Sequence, residues 1–133
     1  MEDIYIVSGV RTAVGDFGGS LKSFMPSELG ALVASEALER AGVGAADVQH
    51  IVIGQVMQTS ARDNMLSRVI GINAGIPEHV PALTLNRLCG SGLQAIISAA
   101  QMMKLDKGRL ADPTGTLRYP PRARDDQDRG EGR

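Results

Sequence analysis

The chain has 133 residues, 43% of them hydrophobic, and a formal net charge of −1. That is apolar material for one modest domain, and the near-neutral balance gives no electrostatic case for binding nucleic acid or an anionic membrane surface. One cysteine excludes an internal disulfide framework, so a reducing, cytoplasmic setting is the expectation.

The N-terminus, MEDIYIVSG, begins with two acids and lacks a basic leader followed by an apolar stretch, so a secretory signal is not expected. No run approaches the ~18–20 apolar residues of a membrane span. Residues 4–9, IYIVSG, are a short apolar run ending in glycine, which suits a buried strand. A glycine-rich loop, VGDFGGSL, follows. A helix is predicted to start near Ser27, a favourable N-cap, with Pro26 ahead of it. Its apolar stripe is Leu29, Val33, Ala37 and Ala41 with Leu32 beside it, and Glu36 and Arg40 form an i, i+4 pair. Gly42 ends it in the C-cap position.

HIVIGQVM, residues 50–57, reads as a second buried strand. Residues 64–74 read as a second helix, with Leu66, Val69, Ile70 and Ala74 on one face and Gly75 closing it. ALTLN, residues 82–86, is a third strand bounded by Pro77 and Pro81. The third helix carries the stripe Leu93, Ile96, Ile97, Ala100 and Met103. Alternating strands and helices predict an α/β fold, a layered parallel or mixed sheet with helices on its faces and right-handed crossovers. Ligands of such sheets gather at the carboxyl ends of the strands.

The composition then shifts. Residues 1–103 carry six Lys/Arg against nine Asp/Glu, whereas residues 104–133 carry eight against six, with three prolines and four glycines. This second segment lacks a periodic apolar pattern and buries too little surface to offset its ordering entropy. It is expected to be disordered or foreign to the fold, leaving residues 1–103 as the structured part.

The lone cysteine, Cys89, falls at the junction of the third strand and third helix, in LTLNRLCGSGLQA. Helix N-terminal amides favour a thiolate at such a junction. Gly90 and Gly92 permit a tight turn and close approach of a substrate, and the turn's backbone N–H groups could donate to an oxyanion. A free cysteine is most often a small buried hydrophobe, but its place before Gly-Ser-Gly favours chemistry. GSGLQA also fits a dinucleotide-binding fingerprint, which demands an acidic residue ending a strand ~20 residues on. Asp112 has that spacing and no strand signal before it, so the match fails. No phosphate loop, nucleophile elbow or metal-ligand spacing occurs, and no metal is expected. His50 and His79 both precede the cysteine and read as surface or satisfied histidines.

The run Leu85-Asn86-x-x-Cys89-Gly90-Ser91-Gly92-Leu93-x-Ala95-Ile96, with Met103 completing the spacing, resembles the acyl-enzyme cysteine signature of the thiolase family. Upstream, IVSGVRTAVGDFGGSL resembles the family's opening strand and loop. VIGQVMQTSARDNMLSRV and INAGIPEHVPALTLNRLCGSGLQA resemble its biosynthetic acetyl-CoA acetyltransferases. The likeness covers residues 4 to about 103 and implies part of the thiolase fold.

The resemblance implies acyl transfer with carbon–carbon bond formation. Cys89 would attack an acyl-CoA thioester and become acylated. A second acetyl-CoA, deprotonated at carbon, would take the acyl group and give acetoacetyl-CoA, with thiolytic cleavage as the reverse. It implies no metal or redox cofactor, coenzyme A being part of the acetyl-CoA or acyl-CoA substrate, and a homo-oligomer, dimer or tetramer. By resemblance Met57, Gln58, Arg62, Asn64 and Arg68 belong to an oligomer contact beside the site. The family's activating histidine, second cysteine and asparagine-held water lie further downstream, and here no His or Cys follows Cys89. The tail departs from the family's pattern after Met103. A truncated N-terminal part, inactive alone, is therefore expected, with the alternative of a non-catalytic α/β piece that associates with intact thiolase subunits.

Overall fold

In the computed structural model, which describes residues 3–105, 111–112 and 116–117, the hydrophobic run at His50 becomes strand β1 (His50–Gly54), covered by helices on both faces. It follows helix α1 (Pro26–Ala41) and a 3-10 turn, Ala45–Asp47, and precedes a second 3-10 turn, Ala61–Met65, that runs straight into α2 (Leu66–Asn73). Strand β2 (Ala82–Leu85) and helix α3 (Ser91–Leu105) complete the main body. β1 and β2 pair in parallel with Ile51 opposite Ala82 and Gly54 opposite Leu85. Short strands β3 (Ala111–Asp112) and β4 (Thr116–Leu117) extend the sheet antiparallel, in the order β2-β1-β4-β3. The sheet is therefore mixed, as the sequence predicts. Residues 106–110, 113–115 and 118–133, most of the segment expected to be disordered, lie outside the described residues. α3 extends past Met103 to Leu105.

Alternation along β1 sets the two halves of the core. Ile51 packs with Leu38, Val48, Ile76 and Val80 beneath α1 and α2, and Ile53 adjoins both that cluster and the one formed by Ala34, Leu66 and Ile70. Val52 faces the other way, onto Ala95, Ala99 and Met103 of α3, with Leu83 and Leu85 of β2 alongside. A strand apolar on both faces is what a parallel sheet covered on both sides requires.

α2 meets the core through its predicted stripe, burying Leu66 and Ile70, whereas α1 and α3 bury faces that share only Ala37 and Met103 with theirs. α1 buries Ser27, Ala31, Ala34, Ala37 and Leu38, leaving Leu32 58% exposed. α3 buries Ser91, Ala95, Ala99 and Met103, whereas Leu93 and Ile96 are 66% and 46% exposed. Small side chains win because they let backbones approach. At Gly30 an added Cβ would run into the Ile70 side chain, and at Gly54 into the Ser91 carbonyl and, at 2.8 Å, the Gly92 nitrogen.

Three further expectations differ from the structure. Residues 4–9 form no strand: Tyr5, Ile6 and Val7 are 64%, 73% and 50% exposed, and Ile4 alone of the run packs against the Val52 cluster. β1 is paired by β2 along its length on one side and by β4 only at His50 and Ile51 on the other, and the run joins neither ladder. The N-cap of α1 is Met25, not Ser27. Pro26 enters the first helical position with its φ preset, and Glu28 accepts the Met25 N–H at 2.8 Å, which leaves Ser27 buried inside the first turn. β1 and β2 also end earlier than read, at Gly54 and Leu85. The cap at Gly42 and the close at Gly75 hold, at φ 64° and 79°, and so does the exposed Glu36–Arg40 pair at 2.6 Å, a contribution of a few tenths of a kcal/mol.

The β1–α2 connection is organised by Asp63, which is fully buried. Its carboxylate accepts from the Thr59 N–H at 2.6 Å, the Ser60 N–H at 2.9 Å and both hydroxyls at 2.9 Å. The Thr59 backbone bond is the largest cause holding its pKa below the ordinary 3.8, against the opposing pull of burial. Further on, buried Ser67 is tied to Thr84 of β2, its N–H at 3.0 Å and its hydroxyl at 2.8 Å.

Two tests follow from this packing. A group with a depressed folded pKa stabilises above its unfolded value and loses that contribution as pH falls through the folded one. The urea midpoint should therefore decline as pH drops below 3.8, and Asp63→Asn should flatten that decline and lower the midpoint at neutral pH. Parallel acid profiles for the two proteins would refute the role given to Asp63. Gly54→Ala must displace backbone, not a mobile side-chain end, and should cost roughly 1–3 kcal/mol in urea denaturation followed by circular dichroism; an unchanged midpoint contradicts the close contact.

Candidate functional site

Five residues, 86–90, join the end of β2 to the start of α3. Gln55, just past β1, donates its N–H to the Leu85 carbonyl at 2.9 Å, so the ladder persists up to this junction. Beyond it the chain must turn at once into the helix, whose first turn sits against Gly54. The turn closes on itself: the Gly90 and Ser91 amides donate to the Arg87 and Leu88 carbonyls, each at 3.0 Å.

Among the described non-glycine residues only Leu88 has positive φ, at 48°. An L-residue pays roughly 1–2 kcal/mol for the left-handed region, and Leu88 recovers little of that by packing, being 69% exposed. Neither Gly90 nor Gly92 has positive φ, so the left-handed position falls one residue before the cysteine and not on the glycines after it.

Five side-chain bonds hold the turn. Asn86 Nδ2 donates to the Val56 carbonyl at 2.8 Å, and Asn86 Oδ1 accepts the Leu88 N–H at 2.8 Å. Ser91 Oγ accepts the Arg87 N–H at 2.8 Å and donates to the Leu88 carbonyl at 2.7 Å. The Arg87 guanidinium reaches the Gln94 amide oxygen at 2.5 Å, on the next turn of α3. In the sequence Asn86 and Ser91 are letters of the cysteine signature and carry no role of their own. The Asn-x-Leu spacing of an Asx turn is the signal for Asn86; for Ser91, whose bonds run back into the turn, none is visible.

Cys89 is exposed and unpaired to another cysteine, at the outer surface of this turn and two residues before α3. It is not walled off among aliphatic side chains. An added Cβ at Gly92 would meet nothing within 4 Å, so the space beside the first turn of α3 is open there. The Gly90 amide is engaged inside the turn. Two open concavities lie elsewhere, one beside Arg11, Thr12 and the Glu36–Arg40 pair, the other between Phe24 and Leu32; Cys89 lines neither.

Of the residues read as an oligomer contact, Met57, Gln58, Arg62 and Asn64 are exposed on the β1–α2 connection. Arg68 is half-buried and donates to the Glu78 carbonyl at 2.8 Å within its own chain. The bond from Asn86 to Val56 brings the start of this connection beside the cysteine turn. Among the described residues no group of three His, Cys, Asp or Glu could hold a metal ion, and no helix is long and apolar enough to cross a membrane.

Beta-ketothiolase BktB of Cupriavidus necator is 60% identical over 103 residues, covering 77% of this chain and 26% of that protein. An acetyl-CoA acetyltransferase of the same organism is 50% identical over 100 residues, covering 75% and 25%. The crystal structure of human mitochondrial 3-ketoacyl-CoA thiolase in complex with CoA superimposes with a TM-score of 0.76 at 36% identity, over 80% of this chain and 27% of that one. The chain thus spans about a quarter of the length of these relatives. Residues 4–111 match the thiolase N-terminal domain, and the chain belongs to the thiolase family.

Proposed function

We propose that Cys89 is the nucleophile of a thiolase-type acyl transfer. Its thiolate attacks the carbonyl carbon of acetyl-CoA or another acyl-CoA, the carbon–sulfur bond to coenzyme A breaks, and coenzyme A departs as its thiolate, which takes a proton from solvent. The product is an acyl-cysteine. Splitting the reaction this way replaces one difficult step with two easier ones. In the second, the carbanion of another acetyl-CoA takes the acyl group to form acetoacetyl-CoA and frees the cysteine; the reverse direction is thiolysis.

The observation that carries this reading is an exposed thiol at the carboxyl end of a parallel strand, immediately before a helix, in a segment matched to the thiolase N-terminal domain. Gly90 supports the turn and Gly92 leaves the approach open. The second step needs a base for the carbon acid, and no His or Cys follows Cys89. The residues of this chain account for the acyl-transfer half. Met57, Gln58, Arg62 and Asn64 serve a homo-oligomer contact in this reading, in a cytoplasmic setting.

A second reading, a non-catalytic unit associating with other thiolase subunits, draws on the exposed Leu93, Ile96 and Ile97 of α3, since contiguous exposed apolar surface marks contact sites. Incubation of the full chain with radiolabelled acetyl-CoA, then peptide mapping, separates the two. Label on the Cys89 peptide, absent from Cys89→Ala, is the expected result. Labelling no greater than in Cys89→Ala sinks the acyl-transfer reading, and a stable complex with a purified intact thiolase subunit in gel filtration would then favour the second.

A further inference from the structure

We propose that Asn86 and Ser91 are positioning residues, acting together as a clamp on the Leu88 peptide that fixes the direction in which Cys89 presents its sulfur. The proposal rests on the acyl-transfer reading of Cys89 and adds to it the residues that aim the nucleophile. Leu88 stands in the left-handed region at φ 48°. Its side chain is 69% exposed, so packing does not hold it there.

Polar groups do. The Leu88 N–H is bound by Asn86 Oδ1 at 2.8 Å and its carbonyl by Ser91 Oγ at 2.7 Å. The same Ser91 oxygen accepts the Arg87 N–H at 2.8 Å, so one hydroxyl spans two successive peptides. Both anchors are tied to regular structure. Asn86 hangs from the Val56 carbonyl past the end of β1, and Ser91, only 2% exposed, is the first residue of α3. Buried hydroxyls in two bonds have no spare partner, and losing either side leaves a donor or acceptor unsatisfied. Rotation about the Leu88 φ and ψ swings every atom of Cys89, and a displacement near 1 Å can cost about a hundredfold in a reaction that depends on alignment.

The experiment uses the full chain with Asn86→Ala, Ser91→Ala and Ser91→Thr. Three quantities are read: amide hydrogen exchange at Arg87 and Leu88, alkylation of Cys89 by iodoacetamide, and acylation of Cys89 by acetyl-CoA. Asn86 is exposed, so its variant tests the clamp without disturbing the core. Exchange should accelerate at least tenfold at Leu88 in Asn86→Ala and at Arg87 in Ser91→Ala. Acylation should fall about tenfold relative to alkylation, because a small reagent reaches the thiol from many directions and a thioester does not. Ser91→Thr keeps the hydroxyl and should restore both. The clamp is overturned by wild-type exchange in both alanine variants, or by accelerated exchange with an unchanged acylation-to-alkylation ratio. Exchange is read without an acyl donor. A wild-type chain that takes no acyl group therefore ends the acyl-transfer reading, while the amides still decide whether the clamp exists.

Discussion

The constraint on which the rest depends is the backbone-to-backbone contact between Gly54, the last residue of β1, and the first turn of α3. With no side chain between them, the helix settles at alanine distance on the sheet, and Ala95 and Ala99 meet Val52 directly. Each alanine removes little apolar area from water, but dispersion falls steeply with separation, so closeness substitutes for size. The same contact leaves five residues to carry the chain from the end of β2 into the helix. That short link, and not the cysteine's own surroundings, sets where the thiol stands.

A connection of that length cannot spread its bend over many torsions, and the turn concentrates it at Leu88. Strain of 1–3 kcal/mol persists only where the surroundings over-determine it. Here they do so from both sides, through the Val56 carbonyl by way of Asn86 and through the first helical residue, Ser91. The consequence reaches chemistry. An exposed sulfur would ordinarily sample many directions, yet the peptide before it is held at both its N–H and its carbonyl. For the acyl transfer proposed for Cys89, an ordered backbone under the exposed sulfur would favour alignment, since a reacting carbon must meet it along a narrow approach.

What the sequence made legible is local. The order of helices and strands from α1 to α3, the glycine closures at Gly42 and Gly75, the Glu36–Arg40 pair and the cysteine turn each rest on residues within a few positions of one another. What it concealed depends on separation in space. Hydrophobic stripes point to Leu32 and to Leu93, Ile96 and Ile97, because periodicity weighs large side chains. The sheet instead selects the faces of Ala31 and Ala34 and of Ala95 and Ala99, whose small size permits close approach, and keeps only Ala37 and Met103 of those two stripes. The run IYIVSG has strand composition, yet it joins no ladder, and composition cannot say which runs the fold pairs. Asp63 and the Ser67–Thr84 pair were missed for a related reason: isolated polar letters show nothing until folding brings their partners to hydrogen-bond distance.

The two faces of the sheet divide the work unequally. The face under α1 and α2 buries Leu38, Val48, Ile51, Ile76 and Val80 in one cluster and Leu66 and Ile70 in another, the larger aliphatic side chains of the molecule. The face under α3 is seated on Val52, two alanines and Met103. At about 25 cal/mol per Å² of buried apolar area, the first face supplies most of the hydrophobic stabilisation. The helix behind the cysteine is thus held less by area than by fit, and its remaining large side chains contribute little while they face outward. The orientation of Cys89 is accordingly inherited from backbone geometry: from a glycine that admits the helix, a leucine turned left-handed, and two polar side chains that keep it so.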